Sequence, residues 1–180
     1  MIILLGGKRG AGKSAFAEIA KKQGYKVREM SAIVKGIMER EGIEVNNRNL
    51  RLFARGLREK FGKGIVGQLM AEQMEGGKEV IVGIRAVEEI EEIKKRFSDV
   101  VVVFIDAPAN IRFERMGSAG KKENPVTWDE FLWADSVDNE LGQEGVMEAA
   151  DIVINNSKSK KEFEEEAKRV LRWISRPQKK

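Results

Sequence analysis

The sequence of 180 residues contains neither cysteine nor histidine. Their absence excludes disulfide bonds, zinc or haem sites built on cysteine and histidine, and every catalytic triad that needs an imidazole base. The chemistry of the protein must therefore come from lysine, arginine, aspartate, glutamate, hydroxyl groups and the backbone.

Long apolar runs are also absent. The longest, from Val100 to Ile105, is far shorter than the roughly 20 residues of a membrane-spanning helix, and no charged region precedes the apolar stretch at the amino terminus. We therefore expect a soluble, cytoplasmic protein with no membrane partner.

Charges of the two signs are nearly balanced. Lysine and arginine number 33 against 29 aspartate and glutamate residues, which gives a formal net charge of +4. Such a balance suits small ligands that carry phosphate and makes nucleic acid an unlikely partner. Heavy use of glutamate, lysine and arginine without cysteine resembles the composition of thermophilic proteins.

The distribution of apolar residues favours one α/β domain. Five short apolar runs, each suited to a buried strand, alternate with helical patterns along the chain. These runs are 2–5, 25–29, 79–84, 100–105 and 152–154. The alternation predicts a three-layer α/β fold with a five-stranded, mostly parallel sheet and helices on both faces. We expect one domain over residues 1–175 and a frayed tail at 176–180.

The first predicted strand runs directly into a glycine-rich loop. Residues 2–14 read IILLGGKRGAGKS, and the segment Gly7-x-x-x-x-Gly12-Lys13-Ser14 matches the Walker A motif between a strand and a helix. Gly7, Gly10 and Gly12 allow the backbone to wrap around phosphate oxygens, and the helix that follows adds positive potential. We expect Lys13 to reach the β and γ phosphates of ATP and Ser14 to ligate Mg²⁺.

The remaining loop positions are Lys8, Arg9 and Ala11. The backbone of all three belongs to the predicted phosphate cradle. The side chains of Lys8 and Arg9 have two alternative interpretations, as direct phosphate ligands or as exposed residues at the loop tip.

Four arginines, Arg48, Arg51, Arg55 and Arg58, form one stripe of a predicted helix whose neighbouring stripe is apolar. Phe53, Leu57 and Phe61 are expected to pack this helix on the core. For Arg48 and Arg51 a solvated basic face is the favoured interpretation, whereas Arg58 is predicted to bind an acceptor phosphate.

Arg85 is the second candidate on the acceptor side. It follows the buried run EVIVGI and would project from the carboxyl edge of the sheet, where doubly wound folds bind ligands. Arg112 and Arg115 begin a segment of about 112–140 that we interpret as a lid, because residues 117–125 combine glycine, proline and lysine. An ordinary surface loop is the alternative for that segment.

The order of these motifs resembles a small archaeal family of P-loop kinase-like proteins related to dephospho-CoA kinase and to adenylate and other nucleoside monophosphate kinases. The resemblance covers about residues 1–172 and is carried by GGKRGAGKS, MSAIVK, LREKFG, IVGIRAVEEIE, IDAPANIRFERM, NPVTWDEFLWAD and ADIVIN. It implies strand order 2-3-1-4-5 and acceptor-binding helices at about 31–75.

For the site, the resemblance implies that Gly12, Lys13 and Ser14 hold ATP and Mg²⁺. It also implies that Arg58 and Arg85 clamp the phosphate of a small acceptor, and that Arg115 lies against the donor at the root of the lid.

The sequence also departs from the family pattern. Relatives tend to carry an acid where this chain has Val82, an aspartate where it has Ala32, and lid arginines where it has Ala134 and Val137, although Asp135 remains. Loss of one such arginine can cost roughly 10³ to 10⁵ in rate. These losses point to a slow or repurposed enzyme.

Asp106 ends an apolar run that resembles a Walker B segment. In the implied strand order it lies across the phosphate-loop strand from Val82, so a metal-binding role for Asp106 is the less favoured interpretation.

Three hypotheses follow. The first is a phosphotransferase that moves the γ-phosphoryl group of ATP to a small phosphate-bearing acceptor, supported by Arg58 and Arg85. The second is a nucleotide-binding regulatory protein with impaired catalysis, supported by Ala32, Val82 and the altered lid. The third, a polynucleotide 5′-kinase, is disfavoured because the sequence lacks a longer basic patch and contains a single tyrosine.

Overall fold

A five-stranded parallel sheet forms the middle layer of the computed structural model, which describes residues 1–118 and 127–176. The strands are β1 Ile2–Gly6, β2 Lys26–Glu29, β3 Glu79–Ile84, β4 Val100–Asp106 and β5 Ile152–Asn155. Their spatial order is β2-β3-β1-β4-β5, and every neighbouring pair is parallel. The predicted strands and their order are therefore confirmed. Residues 119–126 of the expected lid segment and the last four residues lie outside the described residues.

Helices cover both faces of the sheet. They are α1 Lys13–Lys22, α2 Met30–Arg40, α3 Asn47–Phe61, α4 Ile65–Gln73, α5 Val87–Arg96, α6 Ala109–Ser118, α7 Trp128–Glu140, α8 Gln143–Glu148 and α9 Lys160–Ile174. Ile2 and Leu4 face a core cluster shared with α2, α4 and α5, whereas Ile3 and Leu5 face a second cluster shared with α1 and α9. This burial on both faces explains the continuous apolar strands and confirms the three layers. No described helix has the length and apolar character that crossing a membrane requires.

The parallel arrangement gathers the strand ends that matter for the site. Because all five strands point the same way, β1 delivers the glycine-rich loop to the edge where Glu29 ends β2 and Arg85 follows β3. Val82 of β3 pairs in register with Leu5 of β1, while Asp106 ends β4 on the other side of β1. The predicted placement of these two positions on opposite flanks of the loop strand is confirmed.

Helix α3 differs from its predicted packing at one end. Phe53 and Leu57 pack against the core, but Phe61 is 57% exposed. In the last turns of the helix the buried position is taken by Arg58, so the ring of Phe61 is left at the surface. The expectation that Phe61 belongs to the core is therefore wrong.

A buried ion pair explains how an arginine can take that position. The Arg58 guanidinium, 3% exposed, donates from Nε and Nη2 to Oε1 of Glu89, whose side chain is fully buried. Arg58 also donates from Nη1 to the Ala54 carbonyl oxygen at 2.9 Å. The second oxygen of Glu89 accepts the backbone N–H of Arg85 at 2.8 Å. Glu89 thus ties α3 and the turn after β3 to the start of α5.

We predict that Glu89→Gln lowers the free energy of unfolding by about 3 to 5 kcal/mol, because breaking a buried pair leaves the Arg58 charge uncompensated. Urea denaturation of the variant and the unchanged chain measures this difference. Glu91→Gln, on the exposed face of the same helix, makes the same change of charge and serves as the matched control. Equal stability of the two variants would contradict the argument.

Candidate functional site

A cleft of about 370 Å³ opens at the carboxyl edge of the sheet. It is lined by the glycine-rich loop and the start of α1, by the β2–α2 junction and α3, and by Arg85 and α7. The charged residues that line it are Arg9, Lys13, Lys35, Arg51, Arg58, Arg85, Glu29 and Asp138. Cations therefore outnumber carboxylates among the described lining residues, as a binding site for anions requires.

The glycine-rich loop has the backbone conformation that only glycine adopts readily. Gly7, Gly10 and Gly12 have φ values of 131°, 79° and 115°. A Cβ atom would lie 2.5 Å from the Ile105 carbonyl oxygen at Gly7 and 2.7 Å from the Arg112 carbonyl oxygen at Gly10. The loop is thus held against β4 and α6 in the conformation that a backbone anion-binding nest requires.

Lys13 folds over this loop. Its Nζ donates to the carbonyl oxygens of Gly7, at 2.5 Å, and Lys8, at 2.9 Å. Burial, reinforced chiefly by the positive charge of Arg85, lowers the pKa of Lys13 to about 7, although the Asp138 carboxylate opposes the shift. A phosphate bound in the loop would supply a negative charge that pairs with this ammonium group.

The other predicted loop residues differ in their surroundings. Ser14 is exposed in the first turn of α1 and lines the cleft, as does Arg9, whereas Lys8 does not line it. Ala11 is fully buried, and its carbonyl oxygen accepts a hydrogen bond from Asn156 Nδ2 at 2.8 Å. Their assignment to a nucleotide stays a prediction.

The two predicted acceptor arginines both line the cleft, but their guanidinium groups differ in the protein partners that they already bind. Arg58 lines the cleft, but its guanidinium is committed to Glu89. Arg85 is 28% exposed and donates from Nε to Oδ1 of Asp138 at 3.1 Å. Its Nη1 donates to the Gly83 carbonyl oxygen at 3.3 Å. The structure brings both arginines to one cleft with Lys13, and their role as a clamp stays a prediction.

Arg51 corrects the sequence interpretation. A solvated face was the favoured interpretation, but Arg51 lines the cleft and its Nε is buried without a hydrogen-bond partner among the described residues. Burial, reinforced by the charges of Arg9 and Arg85, lowers its pKa. Arg48, by contrast, stacks over the Trp133 ring at 5.4 Å on the outside, as expected.

The prediction for Arg51 was wrong because the stripe of arginines in the sequence does not show which face of α3 points into the cleft. The α3 residues that line the cleft are Asn47, Leu50, Arg51, Ala54 and Arg58. Arg55 lies off this face and pairs with Glu59 at 2.8 Å and with Glu140 of α7 at 3.1 Å. The four arginines therefore divide between the cleft and the surface.

Two carboxylates of the site were missed. Asp138 is 3% exposed and holds Arg85, and Glu29 ends β2 with its carboxylate accepting Ser31 Oγ at 3.1 Å. The position of Glu29 at the end of a predicted strand was a usable signal, whereas Asp138 had none. Val82 is a half-buried apolar residue packed against the core, so it supplies no acid there.

Arg112 of α6 connects its own helix to α7 and to the glycine-rich loop. It donates to both carboxylate oxygens of Asp135, at 2.8 Å and 2.5 Å, and to the Arg9 carbonyl oxygen at 3.1 Å. On α7, Ala134 and Val137 are buried and face inward, which explains their apolar character.

Arg115 reaches the loop after β5. Its Nη2 donates to Asn156 Oδ1 at 3.3 Å and to the Lys158 carbonyl oxygen at 3.4 Å, while its Nη1 is buried without a hydrogen-bond partner in the described part of the chain. Asn156 in turn holds the glycine-rich loop at Ala11. Arg115 thus lies beside the loop, where the resemblance implied a donor contact.

Metal ligands are sparse. The described residues contain no cluster of three or more aspartate and glutamate side chains that would hold a metal ion. Asp106 does not line the cleft. Ser14 stays the predicted protein ligand, and Mg²⁺ commonly takes its remaining ligands from phosphate oxygens and water.

Comparison with known proteins gives a consistent result. The model of the AAA domain family matches residues 3–131. The chain is 36% identical over 174 residues to a UPF0200 protein of Hyperthermus butylicus, covering 95% of this chain and 93% of that relative. Its fold is similar to shikimate kinase from Bacteroides thetaiotaomicron, with TM-score 0.63, 17% identity and coverage of 98% and 99%. It is also similar to dephospho-CoA kinase from Campylobacter jejuni, with TM-score 0.59, 16% identity and coverage of 97% and 96%.

The lowered pKa of Lys13 predicts a pH-dependent stability. Because the native pKa of about 7 lies below that of the unfolded chain, the unfolded state binds more protons above pH 7, and the unfolding free energy rises with pH. This group contributes at most about 1.4 kcal/mol per pH unit. Lys13→Met should remove that slope in urea denaturation between pH 7 and 9, whereas Lys21→Met, an exposed change on α1, should keep it. An unchanged slope in Lys13→Met would contradict the assignment.

Proposed function

Because the chain belongs to the AAA domain family and to the archaeal UPF0200 family, we propose that it is an ATP-dependent phosphotransferase. It moves the γ-phosphoryl group of ATP to a small, phosphate-bearing acceptor. The P-loop kinase-like fold supports the binding of a nucleotide, and the content of the cleft supports the finer assignment.

One observation carries this proposal. The loop lysine Lys13 and the acceptor-side arginines Arg58 and Arg85 line the same cleft from different elements. A protein that only bound a nucleotide would have no use for a second group of cations beyond the phosphate loop. Two anion-binding surfaces that face one space are what in-line phosphoryl transfer needs.

The donor is held by the loop. Backbone N–H groups from Gly7 to Gly12 surround the β and γ phosphates, and protonated Lys13 leaves the Gly7 and Lys8 carbonyl oxygens to bind the γ-phosphate. Ser14 Oγ would hold Mg²⁺, which would supply positive charge to the phosphate oxygens of the donor. Arg115 contacts the donor from the side of Asn156.

The acceptor enters between the β2–α2 junction and α3. Its phosphate is bound by Arg85 at the wall that Arg58 supports, which aligns the attacking oxygen with the γ-phosphorus. Glu29 lines the same cleft, and we assign its carboxylate to orienting the attacking oxygen. The names of the structural neighbours, shikimate kinase and dephospho-CoA kinase, agree with a small-molecule acceptor.

A second candidate is a regulatory nucleotide-binding protein with impaired catalysis. The apolar Val82, packed against the core beside the loop strand, favours it, because an acid at that position would orient the ligands of Mg²⁺. This candidate retains ATP binding and loses acceptor-dependent turnover.

We predict that ATP with Mg²⁺ raises the melting temperature, and that Lys13→Ala abolishes the rise because the loop loses the ammonium group predicted to reach the β and γ phosphates. ADP release should increase at least tenfold with one member of a panel of nucleoside monophosphates and dephospho-CoA. Lys21→Ala, an exposed change on α1, should leave both results unchanged.

The outcomes separate the candidates. Stabilisation by ATP without acceptor-dependent ADP release across the panel would favour the regulatory protein. Absence of any ATP-dependent stabilisation, or its persistence in Lys13→Ala, would contradict both.

Binding of ATP should also take up a proton. Because the pKa of Lys13 is about 7 in the empty loop and a bound triphosphate raises it, ATP affinity should fall by up to about tenfold per pH unit above pH 7. Calorimetric titrations at pH 8 in two buffers of different ionisation enthalpy measure the uptake. Lys13→Ala should show none, and uptake that persisted in that variant would assign the proton to another group.

A further inference from the structure

Arg51 has hydrogen-bonding capacity that nothing in the described chain uses. Its Nη1 donates to the Asn47 carbonyl oxygen at 3.2 Å, within its own helix, while its Nε is buried with no partner among the described residues. A buried guanidinium donor without an acceptor is costly. Since Arg51 lines the cleft, a ligand there is a natural acceptor.

Arg58 is less suited to be the principal anion ligand. Its Nε and Nη2 donate to Glu89, and its Nη1 donates to the Ala54 carbonyl oxygen. The Glu89 carboxylate already neutralises its charge in a buried place. Arg58 therefore supports the wall of the cleft, and Arg51 supplies the charge that is free to bind.

Asp138 is the carboxylate nearest to these cations. Its side chain is 3% exposed, and it accepts from Arg85 Nε at 3.1 Å. Its negative charge also raises the pKa of both Lys13 and Arg51 against the effect of burial. The Asp138 carboxylate therefore interacts with three cations. Lys13 is the predicted ligand of the donor phosphates, so on the acceptor side Asp138 is shared by Arg51 and Arg85.

We propose that Arg51 and Arg85 form the binding site for the dianionic phosphate group of the acceptor, and that Asp138 is an internal counter-ion that holds Arg85 while the cleft is empty. This inference rests on the proposed function and deepens it. Two guanidinium groups bind a tetrahedral dianion through paired hydrogen bonds. The negative charge of Asp138 repels such a ligand. Only an anion that binds Arg85 more strongly than Asp138 does therefore displaces the carboxylate.

The site is tested with inorganic phosphate as the probe, titrated calorimetrically into protein saturated with Mg²⁺ and a non-hydrolysable ATP analogue, so that the glycine-rich loop is filled. Arg51→Gln should weaken phosphate binding by about tenfold or more, the loss expected for one charged hydrogen-bonding contact. Arg48→Gln, on the outer side of the same helix, makes the same change of charge and should weaken it by less than twofold. Acetate, a monoanion, should bind more weakly than phosphate.

Asp138→Asn separates a counter-ion from a structural support. Asparagine keeps an oxygen for Arg85 Nε and removes the negative charge. Phosphate should then bind at least about threefold more tightly, because a like charge has left the site. A variant that only lost structural support would bind phosphate more weakly and unfold at a lower temperature.

Each remaining outcome is informative. Equal losses of phosphate affinity in Arg51→Gln and Arg48→Gln would overturn the site. So would an Arg51→Gln variant that binds the nucleotide analogue more weakly but binds phosphate as before. Unchanged or weaker phosphate binding in Asp138→Asn would overturn the counter-ion role. Phosphate binding that depends on Arg51, without transfer to any acceptor, would support the site and reject the proposed phosphotransferase.

Discussion

The repulsion among cations at the carboxyl edge of the sheet is the constraint on which the site depends. Arg58, Arg85 and Arg112 are each held by one carboxylate, from Glu89, Asp138 and Asp135 respectively. Lys13 and Arg51 have no ion pair of their own among the described residues. Burial and the neighbouring arginines lower the pKa of both. The fold thus tolerates the arginines that carry structure, and it leaves Lys13 and Arg51 among the cleft cations whose charge a ligand can balance.

The conformation of the phosphate loop depends on the whole sheet. Gly7 lies against the backbone of β4, Gly10 against that of α6, and Gly12 beside Asn156 of the loop after β5. Asn156 and Arg112 also bond the loop carbonyl oxygens at Ala11 and Arg9. Each glycine therefore allows a close contact with a different element, so the anion-binding shape is fixed by tertiary packing as well as by φ.

The sequence predicted the sheet because its signals are local. Short apolar runs mark the strands, most clearly the central strand β1, which is buried throughout, and the Walker A spacing marks the loop. The acceptor side was harder, because a helical stripe gives the relative direction of Arg51 and Arg58 but not which of them finds a carboxylate. Glu89, 31 residues after Arg58 along the chain, decides this, and no short-range pattern contains that pairing. The burial of Asp138 is equally a product of tertiary packing.

The departures at the lid position acquire a different meaning from the structure. Ala134 and Val137 lie on the buried face of α7, where an arginine would need a carboxylate partner and a cavity that the packing does not offer. The cleft nevertheless has positive charge from Arg51 on α3 and from Arg9 in the loop. Electrostatic stabilisation of phosphoryl transfer depends on where charges stand relative to the reacting group rather than on the element that supplies them. Apolar residues at those two positions therefore argue for a redistribution of charge around the cleft. They weigh less toward an impaired protein than does Val82, although the acid Glu29 of β2 pairs with Val82 in register.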